Sequence, residues 1–158
     1  MPDHGLNILH EELDLLVLNK PAGLVCHPTK GDAMSSLISR ARLYLGGNST
    51  PHLINRLDRE TSGVILIAKN SRTAGELGKI WEQRAVEKEY LAIVHGRLEE
   101  TSGIIDAPLG KDERSKVAVK DAVVGSGAAA RTEFFLERIF SRNGKEFSLV
   151  RVLPLSGR

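Results

Sequence analysis

The sequence predicts an α+β fold with a mixed, largely antiparallel sheet and flanking helices, and three observations carry that expectation. Apolar runs of strand length occur at residues 13–18, 64–68 and 90–94. Between the first two and between the last two lie stretches whose apolar residues recur at helical spacing. Near the end, two strand-like segments, 132–140 and 146–153, flank Arg142-Asn143-Gly144-Lys145. Asn-Gly is the strongest short hairpin signal, because both turn positions need positive φ. The elements do not repeat as strand then helix, and hairpin-joined neighbours imply antiparallel pairing.

Each element has its own local reason. Residues 13–18 run into Asn19-Lys20-Pro21-Ala22-Gly23, a turn signature, and read as a buried strand entering a loop. Residues 33–45 put Leu37, Ile38, Ala41 and Leu45 on one helical face and stop at Gly46-Gly47, as a helix with a glycine terminator should. After the apolar strand 64–68, Asn70 or Ser71 caps a helix reaching residue 85, with Ala74, Leu77, Gly78 and Trp81 on one face. Residues 90–94 form the next strand. Gly125-Ser126-Gly127-Ala128-Ala129-Ala130 reads as a flexible surface loop, not a domain linker, because strand-like sequence resumes at once.

Composition bounds the function classes. A chain of 158 residues with 41% apolar and 27% charged content is long enough for one domain with a real core and too short for two large ones. Its net charge of +2 and pI near 8.8 permit nucleic-acid binding through a local patch but do not indicate a histone-like binder. The single cysteine, Cys26, rules out an intrachain disulfide and a cysteine-based zinc site, in keeping with a reducing cytoplasm. His4, His10, His27, His52 and His95 show no metal-ligand spacing, so no metal is expected. Neither a signal segment nor an apolar run of membrane-spanning length is evident, so the expected location is cytoplasmic, with no membrane partner.

The segment from His52 to Gly63 carries the chemistry. It sets Asp58 between Arg56 and Arg59 in a loop that ends in glycine and leads into an apolar strand. A carboxylate close to guanidinium groups is kept ionised and available as a nucleophile or charge stabiliser, and the arginines themselves suit phosphates. Taken alone, Arg-x-Asp-Arg is most simply a surface turn with a weak local ion pair. Lys20-Pro21-Ala22-Gly23 lacks the spacing of a nucleotide phosphate loop and reads as a structural turn. Lys111-Asp112-Glu113-Arg114-Ser115-Lys116 mixes signs and reads as a solvated loop before it reads as an RNA contact.

Set side by side, four segments resemble the RluA-type RNA pseudouridine synthases. These are Asp14 to Pro28 around Asn19-Lys20-Pro21-Ala22-Gly23, then Asn55-Arg56-Leu57-Asp58-Arg59-Glu60-Thr61-Ser62-Gly63, then Glu87-Lys88-Glu89-Tyr90-Leu91-Ala92-Ile93-Val94-His95-Gly96, and last Leu153-Pro154-Leu155-Ser156-Gly157-Arg158. They stand in the family's order across nearly the whole chain. The family usually has His before Arg-Leu-Asp and Thr before the late Gly-Arg, where this chain has Asn55 and Ser156. Family sequences continue past that Gly-Arg with His-Gln-Ile-Arg and further elements. The resemblance thus implies that residues 1–158 are a pseudouridine synthase catalytic domain of incomplete fold, lacking its C-terminal portion and without an S4-type domain. An uncovered sheet face or edge on that side predicts association with a second copy or another chain, or mobile last residues.

What the resemblance implies is isomerisation of uridine to pseudouridine in ribosomal or transfer RNA, with RNA as partner and no cofactor. By likeness Asp58 is the catalytic aspartate, and Arg158 reaches it as ion-pair partner from the far side of the cleft. Tyr90 corresponds to the aromatic that stacks on the target base and is a candidate base for the C5 proton, a task that needs surroundings favouring the phenolate. Arg56 would occupy the gap left by a flipped uridine. Arg59 would contact phosphate or serve as a structural pair, and Thr61-Ser62-Gly63 shapes the loop. An RNA-binding fragment without catalysis is the alternative. A glycosidase would need two carboxylates flanking the bond, and Asp58 has only Glu60 nearby.

Overall fold

The computed structural model describes residues 5–28, 36–46, 48–112 and 121–156. The chain divides into two compact units, Met1–Ala85 and Val86–Arg158.

In the first unit β1 (Ile8–Glu11), β2 (Leu15–Lys20), β3 (His52–Leu53) and β4 (Gly63–Ala68) form an antiparallel sheet in the order β1-β2-β4-β3. Burial alternates along β2, so Leu16 and Leu18 point into the core with Ile65 and Ile67 of β4. Helix α1 (Leu37–Tyr44) covers them with Leu37, Ile38 and Ala41. Each fully buried Leu or Ile contributes about 1.5–3 kcal/mol by leaving water, so these side chains dominate the unit's stability. Residues 33–35 of the expected helix lie outside the described residues. Ser36 begins the helix from an extended conformation, its Oγ accepting from Ser39 N.

Helix α2 (Ser71–Glu82) starts as the sequence predicts, with the Asn70 side chain accepting from Thr73 N at 2.9 Å. It ends three residues earlier than expected. Arg84 takes a φ of +56°, while its N–H bonds Trp81 O and that of Ala85 bonds Ile80 O, a Schellman closure with arginine where glycine is usual. The face bearing Ala74, Leu77, Gly78 and Trp81 is half-buried, and the helix packs against β4 and β3.

The second unit carries β5 (Tyr90–His95), β6 (Ser102–Asp106), β9 (Arg131–Arg142) and β10 (Lys145–Pro154) in an antiparallel sheet ordered β5-β10-β9-β6. The β9–β10 hairpin turns at Asn143 and Gly144, with φ of +52° and +72°, as the dipeptide predicts. Buried Ser148 on β10 accepts from Leu98 N and donates to Gly96 O, closing the turn after β5. Edge strand β5 leaves Leu91 and Ile93 about two-thirds exposed, at 67% and 64%.

Two short strands, β7 (Leu109–Lys111) and β8 (Asp121–Val123), form a separate pair that patterning did not anticipate. The small-residue stretch expected to be a flexible loop is instead tied down. Ala128 and Leu109 exchange backbone hydrogen bonds of 2.8 and 2.9 Å, and a Cβ on Gly127 would stand 2.6 Å from the Leu109 carbonyl. Close backbone approach, not flexibility, is the reason for glycine there. Most of the mixed-charge run after Lys111, from Glu113 through Lys116, lies outside the described residues.

Candidate active site

The aspartate loop leaves the end of β3 and returns into β4, and it is held through its backbone. The burial alternation of β2 puts Lys20 in phase with Leu16 and Leu18, and its side chain is fully buried. A buried ammonium is costly unless its donors are met. Lys20 Nζ donates to Leu24 O at 2.8 Å, Pro21 O at 3.0 Å and Arg59 O at 3.1 Å, so each of its N–H groups has an acceptor.

Arg59 O also accepts from Gly23 N at 2.7 Å, and Arg59 Nε donates back to Gly23 O at 3.2 Å. Cys26 Sγ donates to Leu57 O at 3.3 Å, and Thr61 N donates to Asp58 O at 3.1 Å. Every carbonyl from Leu57 to Arg59 is therefore fixed, two of them by the segment that follows β2. On the upstream side, the Asn55 amide donates to Val64 O at 3.0 Å and accepts from Leu66 N at 2.8 Å. Gly63 opens β4 with a φ of +133°, a conformation that side-chain-bearing residues rarely adopt.

The Asp58 side chain is exposed, and among the described residues it has no hydrogen bond or ion pair. The local ion pair that Arg-x-Asp-Arg suggests when taken alone does not form among the described residues. Arg59 Nε is directed to Gly23 O and stands 3.5 Å from the Glu60 carboxylate, while the Arg56 side chain is exposed and unpaired among the described residues. Neighbours in sequence point apart here because the main chain turns at Asp58 and the Arg59 side chain is drawn to the Gly23 turn.

Tyr90 belongs to the second unit and opens β5 opposite Val152 of β10. It is half-buried on the face shared with Ala92 and Val94, and among the described residues its hydroxyl has no hydrogen-bond partner. Arg158 and Gly157 lie outside the described residues. Just before them, Ser156 Oγ accepts from Arg131 N at 3.1 Å and Leu155 N donates to Arg131 O at 2.9 Å, tying the end of β10 to the start of β9.

Sequence reasoning did not single out Lys20 or Cys26 as supports of the aspartate loop. The period-two pattern of β2, which sets a lysine in phase with core leucines, is the signal for Lys20. No local signal marks Cys26, whose partner is 31 residues away.

Ionisation is shifted at Glu11, Tyr44 and Arg151. A bond from Lys69 and a second from Tyr44 hold the Glu11 carboxyl below the usual carboxylate range, and the same contact raises Tyr44. Glu137 raises Arg151, which also stacks over the Phe135 ring at 4.5 Å. A surface depression at the start of α2 is lined by Asp14, Asn70, Arg72, Thr73 and Glu76 and holds none of the sequence-predicted site residues. Among the described residues no cluster of His, Cys, Asp or Glu fits a metal ion, and no helix is long and apolar enough to cross a membrane.

The sequence profile of the RNA pseudouridylate synthase family matches residues 14–158. An uncharacterized RNA pseudouridine synthase of Mycoplasma pneumoniae, the MG209 homolog, is 38% identical over 156 residues, 99% of this chain and 49% of that protein. Ribosomal large subunit pseudouridine synthase D of Nitrosomonas europaea is 35% identical over 132 residues, 82% of this chain and 38% of that one. In structure, human RNA pseudouridylate synthase domain containing 1 superposes with a TM-score of 0.81 at 25% identity, covering 100% of this chain and 62% of that chain. The chain spans about half the length of the first curated relatives it matches. A match from Asp14 to the end of the chain, with the aspartate loop and the tyrosine strand in family order, leaves one assignment: the chain belongs to the RNA pseudouridylate synthase family, in its RluA-type branch.

Proposed function

We propose that this protein isomerises uridine to pseudouridine in RNA, with Asp58 as the reacting carboxylate. The observation that carries the reading is an exposed carboxylate, unpaired among the described residues, on a loop whose neighbouring carbonyls are all held. A charge fixed in advance where charge develops in the transition state needs little reorganisation during reaction, and this is usually the largest catalytic contribution.

In the reaction the N1–C1′ bond breaks, the uracil turns, and a C5–C1′ bond forms. C5 loses a proton and N1 gains one. Atoms and electrons balance within the nucleotide, so the stoichiometry calls for no oxidant, reductant or group donor. Asp58 attacks C1′ or stabilises positive charge there, and the ionised form serves both roles.

Tyr90 is proposed to stack on the base and accept the C5 proton, and Arg158 to pair with Asp58. Arg56, exposed and unpaired among the described residues, is suited to fill the gap left by a flipped uridine. With Nε engaged by Gly23, Arg59 is left to meet phosphate through its terminal nitrogens.

Ribosomal RNA is the proposed substrate, on the strength of the name of the Nitrosomonas relative, and the cytoplasm the proposed location. Transfer RNA is the competing substrate. The test is to map pseudouridine in both RNA classes from cells with and without the gene. Loss of a ribosomal site, restored by the parent gene but not by Asp58→Asn, supports the reading. Unchanged maps in both classes overturn it.

A further inference from the structure

We propose that Asn55 is a positioning residue for Asp58, its side-chain amide standing in for a peptide group of the β3–β4 ladder and so fixing where the aspartate loop leaves the sheet. The inference rests on the reading of Asp58 as the reacting carboxylate.

The register shows the substitution. His52 faces Ala68 and Leu53 faces Ile67, so the same antiparallel register sets Ile54 opposite Leu66 and Arg56 opposite Val64. Ile54 N does donate to Leu66 O at 2.9 Å, as the register requires. The ladder then changes hands. Leu66 N, which regular pairing would send to the Ile54 carbonyl, donates to Asn55 Oδ1 at 2.8 Å. Val64 O, which would accept from the Arg56 N–H, accepts from Asn55 Nδ2 at 3.0 Å. One primary amide thus supplies the acceptor and the donor that the departing backbone withdraws.

The consequence is an early and defined exit. Leu66 N and Val64 O keep partners while the chain turns away toward Asp58, three residues on. Asparagine suits the task because it carries donor and acceptor on one carbon. Aspartate would set an oxygen against Val64 O, and alanine would leave both groups unmet. Downstream of Asp58, Lys20 and Gly23 hold Arg59 O, so the loop is pinned at both ends. Loosening one end displaces the carboxylate, and a misplacement of about 1 Å costs on the order of a hundredfold in rate.

The test compares the full chain, Asn55→Ala, Asn55→Asp and Asp58→Asn by site-resolved amide exchange and by turnover on RNA. The expected result for Asn55→Ala is exchange about tenfold or more faster at Leu66 and across residues 57–60, with the β2–β4 amides unchanged. Its kcat should fall by about 10- to 100-fold at nearly constant KM, and Asn55→Asp should follow in the same direction. Unchanged exchange at Leu66 overturns the proposal, as does a loss seen only in KM, or faster exchange throughout the sheet. Should the parent make no pseudouridine, the functional reading falls by itself, and the exchange pattern decides whether Asn55 holds the loop.

Discussion

Lys20 Nζ stands 3.1 Å from the carbonyl oxygen of Arg59, 39 residues later in the chain and next to Asp58. A buried ammonium therefore sets the height of the aspartate loop above the β2 turn. Replacing it with methionine, which matches its length without its donors, orphans the Pro21 and Leu24 carbonyls, while Arg59 O keeps Gly23 N. Lys20→Met should destabilise the protein by about 1–3 kcal/mol, since the lost bonds outweigh the relief of removing a buried charge. Denaturant titration checks it, and an unshifted midpoint would show the bonds to be dispensable.

Asp58 presents its carboxylate to solvent without structural bonds of its own among the described residues. Asp58→Asn should therefore leave the unfolding midpoint within about 0.5 kcal/mol of the parent, as surface changes do. Product formation should vanish while RNA affinity stays within about tenfold, because phosphate contacts persist. Turnover by that variant, read as pseudouridine formed within the RNA, would remove Asp58 from the mechanism.

Arg56 is expected to act on the RNA and not on the fold. Arg56→Ala should reduce turnover on a folded RNA more than on a short flexible oligonucleotide, since only the former charges the full cost of flipping, a few kcal/mol. Equal losses on the two substrates would count against the role.

Glu11 links β1 to Lys69 and Tyr44 through bonds of 2.6 and 2.8 Å that hold its carboxyl below the usual range. A depressed folded-state pKa contributes stability that is present above the unfolded value, 4.5, and is lost as pH falls through the folded value. Between about pH 5 and pH 3 the thermal midpoint of the parent should therefore drop more steeply than that of Glu11→Gln. Parallel curves for the two proteins would mean that the pairing does not couple to folding.

Gly127 packs its backbone against Leu109, where a Cβ would approach carbonyl atoms to 2.6 Å. The atoms met are main chain and cannot rotate away, so Gly127→Ala should lower stability by about 1–3 kcal/mol, whereas Gly125→Ala, with open space around it, should not. Thermal melts of the two variants decide it.

Local patterning was sufficient wherever a short segment stabilises itself. The runs that became β2, β4 and β5, the Asn70 cap and the Asn143-Gly144 turn were all legible because periodicity, capping and positive φ are properties of a few adjacent residues. The strands β1, β3, β6, β7 and β8 were not. They are two to five residues long and carry little pattern, so the partner strand decides them.

The candidate site divides along the same line. The residue types around Asp58 marked the loop, since an aspartate between arginines before a glycine is a statement about neighbours in the chain. Where those side chains point is not. Arg59 turns to Gly23, Lys20 reaches Arg59, Cys26 reaches Leu57, and Asn55 takes a peptide's place on β4. Each contact joins residues 9 to 39 positions apart, and its geometry follows from strand register and from satisfying polar groups, which only the assembled sheet defines.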